Sequence, residues 1–346
     1  MDRGCTKTRV TELQDALLRF YRERGRDLPW RRTRDPYAIW VSEVMLQQTR
    51  VATVVPRYPA FLRRFPDVRA LAAARETAVC EAWAGLGYYR RARHLHQAAR
   101  LIARQRLGKL PEDEAGWRRL PGIGDYTAAA IASIVQGARR AAVDGNLVRV
   151  LARVFALPGR SSEPRLVRSV RAHAQRLVDC AQPGEINQAL MDLGATLCQP
   201  QVPDCARCPL HRCCRARRAG NPSAYPGKQP KPSRPLLRIA FAWNERDGAL
   251  LLEQRPLSGL WPGLWELPSA SGARAKADLG RRLHQALGPE FARVRHELTH
   301  RHVVARVFRA AFAPKPGQKW WRDPLAAPLS SLARKAIVAV RGDWPG

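Results

Sequence analysis

The chain has 346 residues, with 60 Lys and Arg against 29 Asp and Glu, a formal charge of +31 and a pI near 11.2. Eight cysteines in that length are too sparse for a disulfide scaffold. No apolar run reaches membrane-spanning length, and the first thirty residues lack the apolar core of a secretory signal, so the protein is expected to be soluble, cytoplasmic and nucleoid-associated, with no membrane partner. Such a charge points to a polyanion through counterion release and long-range steering, although an arginine-rich genome composition produces the same excess.

The length suggests two domains. Residues 1–216 place apolar side chains at three- and four-residue intervals, as in "LQDALLRFYRER" and "TAAAIASIVQG", which predicts an all-helical domain. Within it, Glu43 of "SEVMLQQT" stands among Val41, Val44, Met45 and Leu46, where an unpaired charge is awkward unless the residue lies on a solvated helix face. "LPGIGDYTAAAIASI" puts Gly122 and Gly124 in a tight turn that opens into a helix. Free N–H groups there suit a phosphate, while helical hairpins also use glycine for geometry alone. Asp144 of "VDGNLVRVLARVF" reads either as a helix N-cap or as an acid with a chemical task.

Cys198, Cys205, Cys208 and Cys214 follow with gaps of six, two and five residues. Four thiolates suit a tetrahedral zinc site. One Cys-x-x-Cys pair with single cysteines outside it is closer to iron–sulfur usage, and the adjacent Cys213 competes with Cys214 for the last position. Cys5, Cys80 and Cys180 sit alone and read as small buried hydrophobes. Residues 217–235, with "RAGNPSAYPGKQPKPSRP", read as a linker. Residues 236–346 then alternate apolar and polar positions around a turn at Arg246-Asp247-Gly248, and "RVRHELTHRHVVARVFRAAFAP" adds further strands, which predicts a small α+β domain.

The cysteine spacing resembles the [4Fe-4S] loop of the helix-hairpin-helix glycosylases, the endonuclease III superfamily. "LPW" at Leu28, "SEVMLQQT", "GLGYYRRAR" at Gly85, "LPGIGDYT", "VDGN" and "NQALMDLGATLC" at Asn187, in that order, resemble the MutY-type adenine DNA glycosylases. The resemblance implies a helix-hairpin-helix fold with an iron–sulfur loop, and a monomer that removes adenine opposite 8-oxoguanine or guanine from double-stranded DNA. It implies Glu43 as the proton donor and Asp144 as the anion facing the sugar, oriented by Asn146, the division of labour of two carboxyls in glycoside hydrolysis. Related glycosylase-lyases carry a lysine where this chain has Tyr126, so a monofunctional enzyme is expected, with Tyr126 hydrogen-bonded near Asp144 or the flipped base or, alternatively, packed in the core.

By the same resemblance Gln48, Thr49, Leu86 and Tyr88 wedge into the duplex and meet 8-oxoguanine, and Trp30, Arg31 and Gln188 line the adenine pocket. Read from the residues alone, Leu86 and Tyr88 are equally core residues. The C-terminal region, through "GLWPGLWELP", resembles the Nudix-like module of these enzymes. A Nudix hydrolase needs a "REXXEEXG" box for magnesium, and "DLGRRLHQALG" stands in its place. Leu298, Thr299 and His300 occupy the family's Phe-Ser-His position, which implies a lesion contact without the aromatic ring and is also compatible with a plain turn between strands. A lyase for oxidised pyrimidines and a non-cutting lesion binder are the competing readings; Tyr126 and the extra domain argue against the first, and the two acids near phosphates against the second.

Overall fold

Asp35 starts the helix that carries Glu43: its carboxylate accepts from the backbone N–H of Tyr37 at 3.1 Å and Ala38 at 3.2 Å, with Pro36 at the first helical position. The helix Pro36–Leu46 is apolar all round, and every residue from Tyr37 to Met45 is buried, as a central core helix requires. The computed structural model describes residues 3–105, 107–227, 233–256, 259–298 and 300–342. The chain divides into two units, Met1–Gly87 with Arg91–Pro230, and Lys231–Gly346 with Tyr88–Arg90.

The first unit is helical, as its periodicity predicts. Its main helices are Arg3–Arg24, Pro36–Leu46, Arg90–Gln105, Asp125–Val135, Gly145–Phe155, Pro164–Val178 and Pro183–Thr196. Leu13 and Leu17 pack with Leu147, Leu151, Val170, Leu177, Leu190 and Leu193 in one core that joins four of them. Gly194 permits a close crossing, since a Cβ there would lie 2.7 Å from the Cβ of Asn146. Tryptophans Trp40 and Trp117 pack at 5.7 Å behind the central helix.

Proline and glycine content makes 217–235 read as a linker, yet its first half carries local structure. Arg215–Arg218 and Pro222–Ala224 are short helical turns, the carbonyl of Tyr225 accepts from Arg153 Nε at 2.9 Å, and Gly227 bridges to Arg160. Prolines that cannot join a ladder still serve as starts of turns.

The second unit is α+β. Its strands are β1 (Leu236–Trp243), β2 (Glu245–Arg246), β3 (Ala249–Gln254), β4 (Trp265–Glu266), β5 (Ser269–Ser271), β6 (Glu290–Leu298), β7 (Arg301–Arg309) and β8 (Gln318–Trp321). One sheet runs β5-β1-β7-β6, with β1 and β7 parallel from Leu236↔His302 to Trp243↔Arg309; the other runs β2-β3-β4, with β8 also on β3. The β2–β3 turn falls at Asp247 (φ 51°) and Gly248 (φ 74°), the positive-φ pair of a tight hairpin.

Alternation is not what β1 shows. Ile239, Phe241 and Trp243 enter one core with helix Ser331–Arg341, while Ala240 and Ala242 pack under helix Ala275–Leu283, so both faces are covered.

Candidate active site

Side chains from three helices come close enough for their charges to act on one another, with Glu43 buried and Tyr126 and Asp144 half-buried. Glu43 comes from the middle of Pro36–Leu46, Tyr126 from the first turn of Asp125–Val135, and Asp144 from the N-cap of Gly145–Phe155. Burial pushes the Glu43 carboxyl up to about 7. The Tyr126 hydroxyl hydrogen-bonded to it and the charge of Arg31 pull the other way, and the charge of Asp144 adds to the rise. Glu43 Oε2 has no hydrogen-bond partner among the described residues. That leaves a carboxyl near half-protonation at neutral pH with one oxygen uncommitted. Desolvation raises the phenol of half-buried Tyr126 well above the usual range, and its hydroxyl also reaches Met191 Sδ at 3.6 Å.

Asp144 combines both of its readings. Oδ1 caps the helix by accepting from Leu147 N at 2.7 Å, and Oδ2 accepts from Asn146 Nδ2 at 3.0 Å. Burial raises its pKa, opposed by those same donors. Asn146 is held in turn: its Oδ1 accepts from Arg149 Nη2 at 2.8 Å, and Arg149 donates further to the carbonyls of Gly194 and Cys198, both at 2.8 Å. The orientation of Asp144 is thus tied through two side chains to the backbone of the cysteine segment.

Two supporting residues are invisible to motif reading. Fully buried Asn187 accepts from Ala142 N at 3.0 Å and donates to Ser133 Oγ at 2.9 Å and Arg140 O at 2.8 Å, fixing the segment that leads into Asp144. Fully buried Asp192 takes Arg31 in a two-pronged pair at 2.5 and 2.8 Å and Arg26 at 2.6 Å. Burial alone would raise its carboxyl, but the hydrogen bonds and charges of Arg31 and Arg26 outweigh it and hold it below the usual range. Both lie in "NQALMDLGATLC", so the segment carried the signal although the individual residues did not.

The expected DNA-facing residues divide. Gln48 is exposed in the left-handed region (φ 55°), and Tyr88 is 51% exposed with φ 46°. Thr49 Oγ1 donates to Leu86 O at 3.2 Å, joining the two loops. Leu86, expected in the wedge, is instead 4% exposed: its side chain fills the packed turn and it offers only its carbonyl. Gly122 (φ 79°) receives Gln47 Nε2 on its carbonyl at 3.3 Å, and Gly124 is the N-cap of the following helix. Trp30 is buried edge-on to Tyr58 at 5.5 Å, Arg31 is engaged by Asp192, and Gln188 donates to its own helix at Gly184 O, 3.3 Å away. His300 is exposed after β6, and Thr299 lies outside the described residues.

Cys198, Cys205, Cys208 and Cys214 line one small cavity, walled by Val150, Leu193 and Leu210; Cys213 is not on its lining. All four are free of disulfides. Arg153 Nη1 donates to Cys198 Sγ at 3.3 Å, and Cys214 Sγ donates to Arg153 O at 3.4 Å. Among the described residues no three His, Cys, Asp or Glu side chains are grouped so as to hold a metal ion. Burial pushes the Cys208 thiol up to about 12, so thiolates would need cationic metal to offset desolvation. By donor type alone four cysteines suit a thiolate-bound iron–sulfur cluster, but their side chains are not gathered around one metal position here.

The family model described as HhH-GPD superfamily base excision DNA repair protein matches residues 41–178, and a NUDIX domain model matches 239–339. The adenine DNA glycosylase of Homo sapiens is 35% identical over 411 aligned residues, covering 97% of this chain and 75% of the human protein. Among solved structures, a thermostable thymine-DNA glycosylase matches with a TM-score of 0.57 at 28% identity, over 62% of this chain and 99% of its own. A trapped endonuclease III–DNA covalent intermediate matches with a TM-score of 0.53 at 20% identity, over 62% of this chain and 98% of its own, a likeness of fold alone. The expected helix-hairpin-helix domain followed by a Nudix-like α+β domain is borne out.

Proposed function

The chain belongs to the adenine DNA glycosylase family, and on that premise we propose that it excises adenine opposite 8-oxoguanine or guanine as a monofunctional hydrolase. The observation that carries the reading is the approach of Asp144 to buried Glu43, close enough for its charge to raise the Glu43 carboxyl. One carboxyl has been moved by burial to about 7 and keeps a free oxygen, while the other is held by two hydrogen-bond donors that favour its anion.

Glu43 donates a proton to adenine N7 as the C1′–N9 bond breaks and its electron pair leaves with the base. Positive charge gathers at C1′ of the deoxyribose, where the Asp144 carboxylate stabilises it. Water then attacks C1′ and gives its proton to the Glu43 carboxylate, which restores the acid and leaves an abasic site. Tyr126 occupies the slot where a lyase needs an amine, and its hydroxyl donates to Glu43 instead, so no Schiff base forms. Gln48 and Tyr88, exposed in strained backbone, enter the duplex while the adenine is extruded.

The helix-hairpin-helix family commonly binds an iron–sulfur cluster, and Cys198, Cys205, Cys208 and Cys214 would hold a [4Fe-4S] cluster here. When bound it supplies a cross-link that orders this segment and with it the Cys198 carbonyl used by Arg149. The Nudix-like unit reads 8-oxoguanine at exposed His300, just before β7. The protein acts as a cytoplasmic monomer on chromosomal DNA.

Duplexes with adenine opposite 8-oxoguanine, incubated with the protein and split into alkali-treated and untreated halves, test the proposal. Breaks at the adenine that need alkali are expected. Breaks without alkali would mean a lyase, and tight binding with intact strands would mean a lesion binder.

A further inference from the structure

We propose that Arg91 is a positioning residue that locks the two DNA-entering loops and the end of the Glu43 helix into one rigid unit, so that insertion into the duplex and placement of the acid are set together. The inference rests on the reading that the Gln47–Thr49 and Gly85–Gly87 loops face DNA. Arg91 is 9% exposed, unusual for a residue type that seldom leaves water. Its Nη1 donates to Val44 O and Met45 O, both at 2.8 Å. Its Nη2 donates to Thr49 Oγ1 at 2.8 Å, Leu86 O at 3.1 Å and Gly87 O at 3.2 Å.

Each acceptor has a reason to need this donor. Val44 and Met45 lie in the last turn of Pro36–Leu46, whose carbonyls lack intrahelical partners, and a cation there also complements the helix dipole. Glu43 is the residue just before them. Thr49 follows Gln48, whose positive φ persists only if its flanks are fixed. Leu86 and Gly87 immediately precede Tyr88, the exposed residue of the second loop. Trp83 completes the bracket: its ring lies 5.4 Å from the Arg91 guanidinium carbon, and its Nε1 donates to Gly87 O at 3.1 Å. The planar fork spreads five acceptors on three segments over two nitrogens; lysine's three donors on one nitrogen cannot reach all five.

Single-turnover excision, dissociation constant, and fluorescence of 2-aminopurine beside the target adenine, measured on the full chain, test this. Arg91→Lys is expected to slow excision by about 10²-fold, the scale of an ångström-sized misplacement, with little change in DNA affinity. The fluorescence change that reports flipping should shrink in parallel, while the midpoint of the pH–rate profile stays where it is, because burial, the main cause of the Glu43 shift, survives a small displacement. Thr49→Val, which removes one acceptor of Arg91 and the Thr49–Leu86 bond while the other Arg91 bonds remain, should show the same pattern more weakly. Leu71→Ala, a cavity in the same unit's core, is the stability control and should melt lower yet excise normally below its melting point.

Wild-type excision and flipping in Arg91→Lys would overturn the inference. So would a Leu71→Ala rate that falls in proportion to its melting temperature as the Arg91→Lys rate does. A wild-type protein that flips but never cuts adenine would sink the proposed activity and leave the flipping comparison to decide Arg91 separately.

Discussion

Glu43 is a residue the fold would be more stable without. In the unfolded chain its carboxyl titrates near the ordinary 4.5, in the folded one near 7. Between those values the native state binds more protons, so stability falls as pH rises through the window, and above it the whole cost of burying the carboxylate is present. Replacing it by the neutral, similarly shaped glutamine should therefore stabilise the protein at pH 8 by ~3 kcal/mol, at ~1.4 kcal/mol per pKa unit, and by nearly nothing at pH 4. Thermal melts of Glu43→Gln at the two pH values check this, and equal shifts at both would mean that the carboxyl is not buried as described. The same substitution should abolish excision. Wild-type excision should decline as pH rises through about 7, where Glu43 loses the proton it donates. Glu43 was legible in the sequence through the family resemblance of "SEVMLQQT", and the apolar Val41, Val44, Met45 and Leu46 around it marked its charge as out of place. Asn187, Asp192 and Arg91 were not, because what marks them includes hydrogen bonds to residues 40 or more positions away, and nothing in the local pattern tells a buried, satisfied polar side chain from an exposed one.

Among elements, the site depends on how the Asp144 helix is seated rather than on that helix alone. Asn187 of Pro183–Thr196 pins Ala142, two residues before Asp144, to Ser133 of Asp125–Val135, so one amide relates three helices. Asn187→Ala would leave the Ala142 N–H buried without its acceptor and should cost about 1–3 kcal/mol. It should also slow excision, since Asp144 loses the segment that aims it; a fall in stability with an unchanged rate would limit Asn187 to packing. The cysteine segment gives a second test at this scale. Purified Cys213→Ala should keep the broad brown absorption of an iron–sulfur protein and Cys214→Ala should lose it, because only Cys214 faces the cavity. Helix positions were readable from three- and four-residue spacing, and the hairpin at Asp247–Gly248 from its turn residues. The two faces of β1 were not, since a strand covered by helices on both sides has no polar face to announce it. The spacing alone does not separate Cys213 from Cys214, whereas in the fold Cys214 lines the cavity beside Leu210 and its Sγ donates to Arg153 O, a contact 61 residues distant that no local pattern reveals.

Across the whole molecule, affinity and selectivity come from different sources. A charge of +31 meets phosphates of any sequence, so binding should weaken steeply with salt. If six to ten phosphates are contacted, affinity falls by about 10³ to 10⁵ between 50 and 200 mM salt. Phosphate contacts do not distinguish 8-oxoguanine from guanine opposite the adenine, so the ratio of excision rates on the two substrates should barely change over the same range. The Nudix-like unit is the part assigned to that distinction. Arg281, Arg282, Gln285 and Ala286 stand on and after its helix Ala275–Leu283, which carries a single carboxylate, Asp278, where a magnesium-binding box would carry several. With the aromatic of the family's lesion loop replaced by Leu298, His300 carries what side-chain contact the described part of that turn can offer. His300→Ala should therefore lower the preference for adenine opposite 8-oxoguanine several-fold while the rate opposite guanine and the salt dependence stay the same. Paired single-turnover rates on the two duplexes at 50 and 200 mM salt decide the matter: a preference that tracks salt, or one indifferent to His300, would place the discrimination in the helical unit instead.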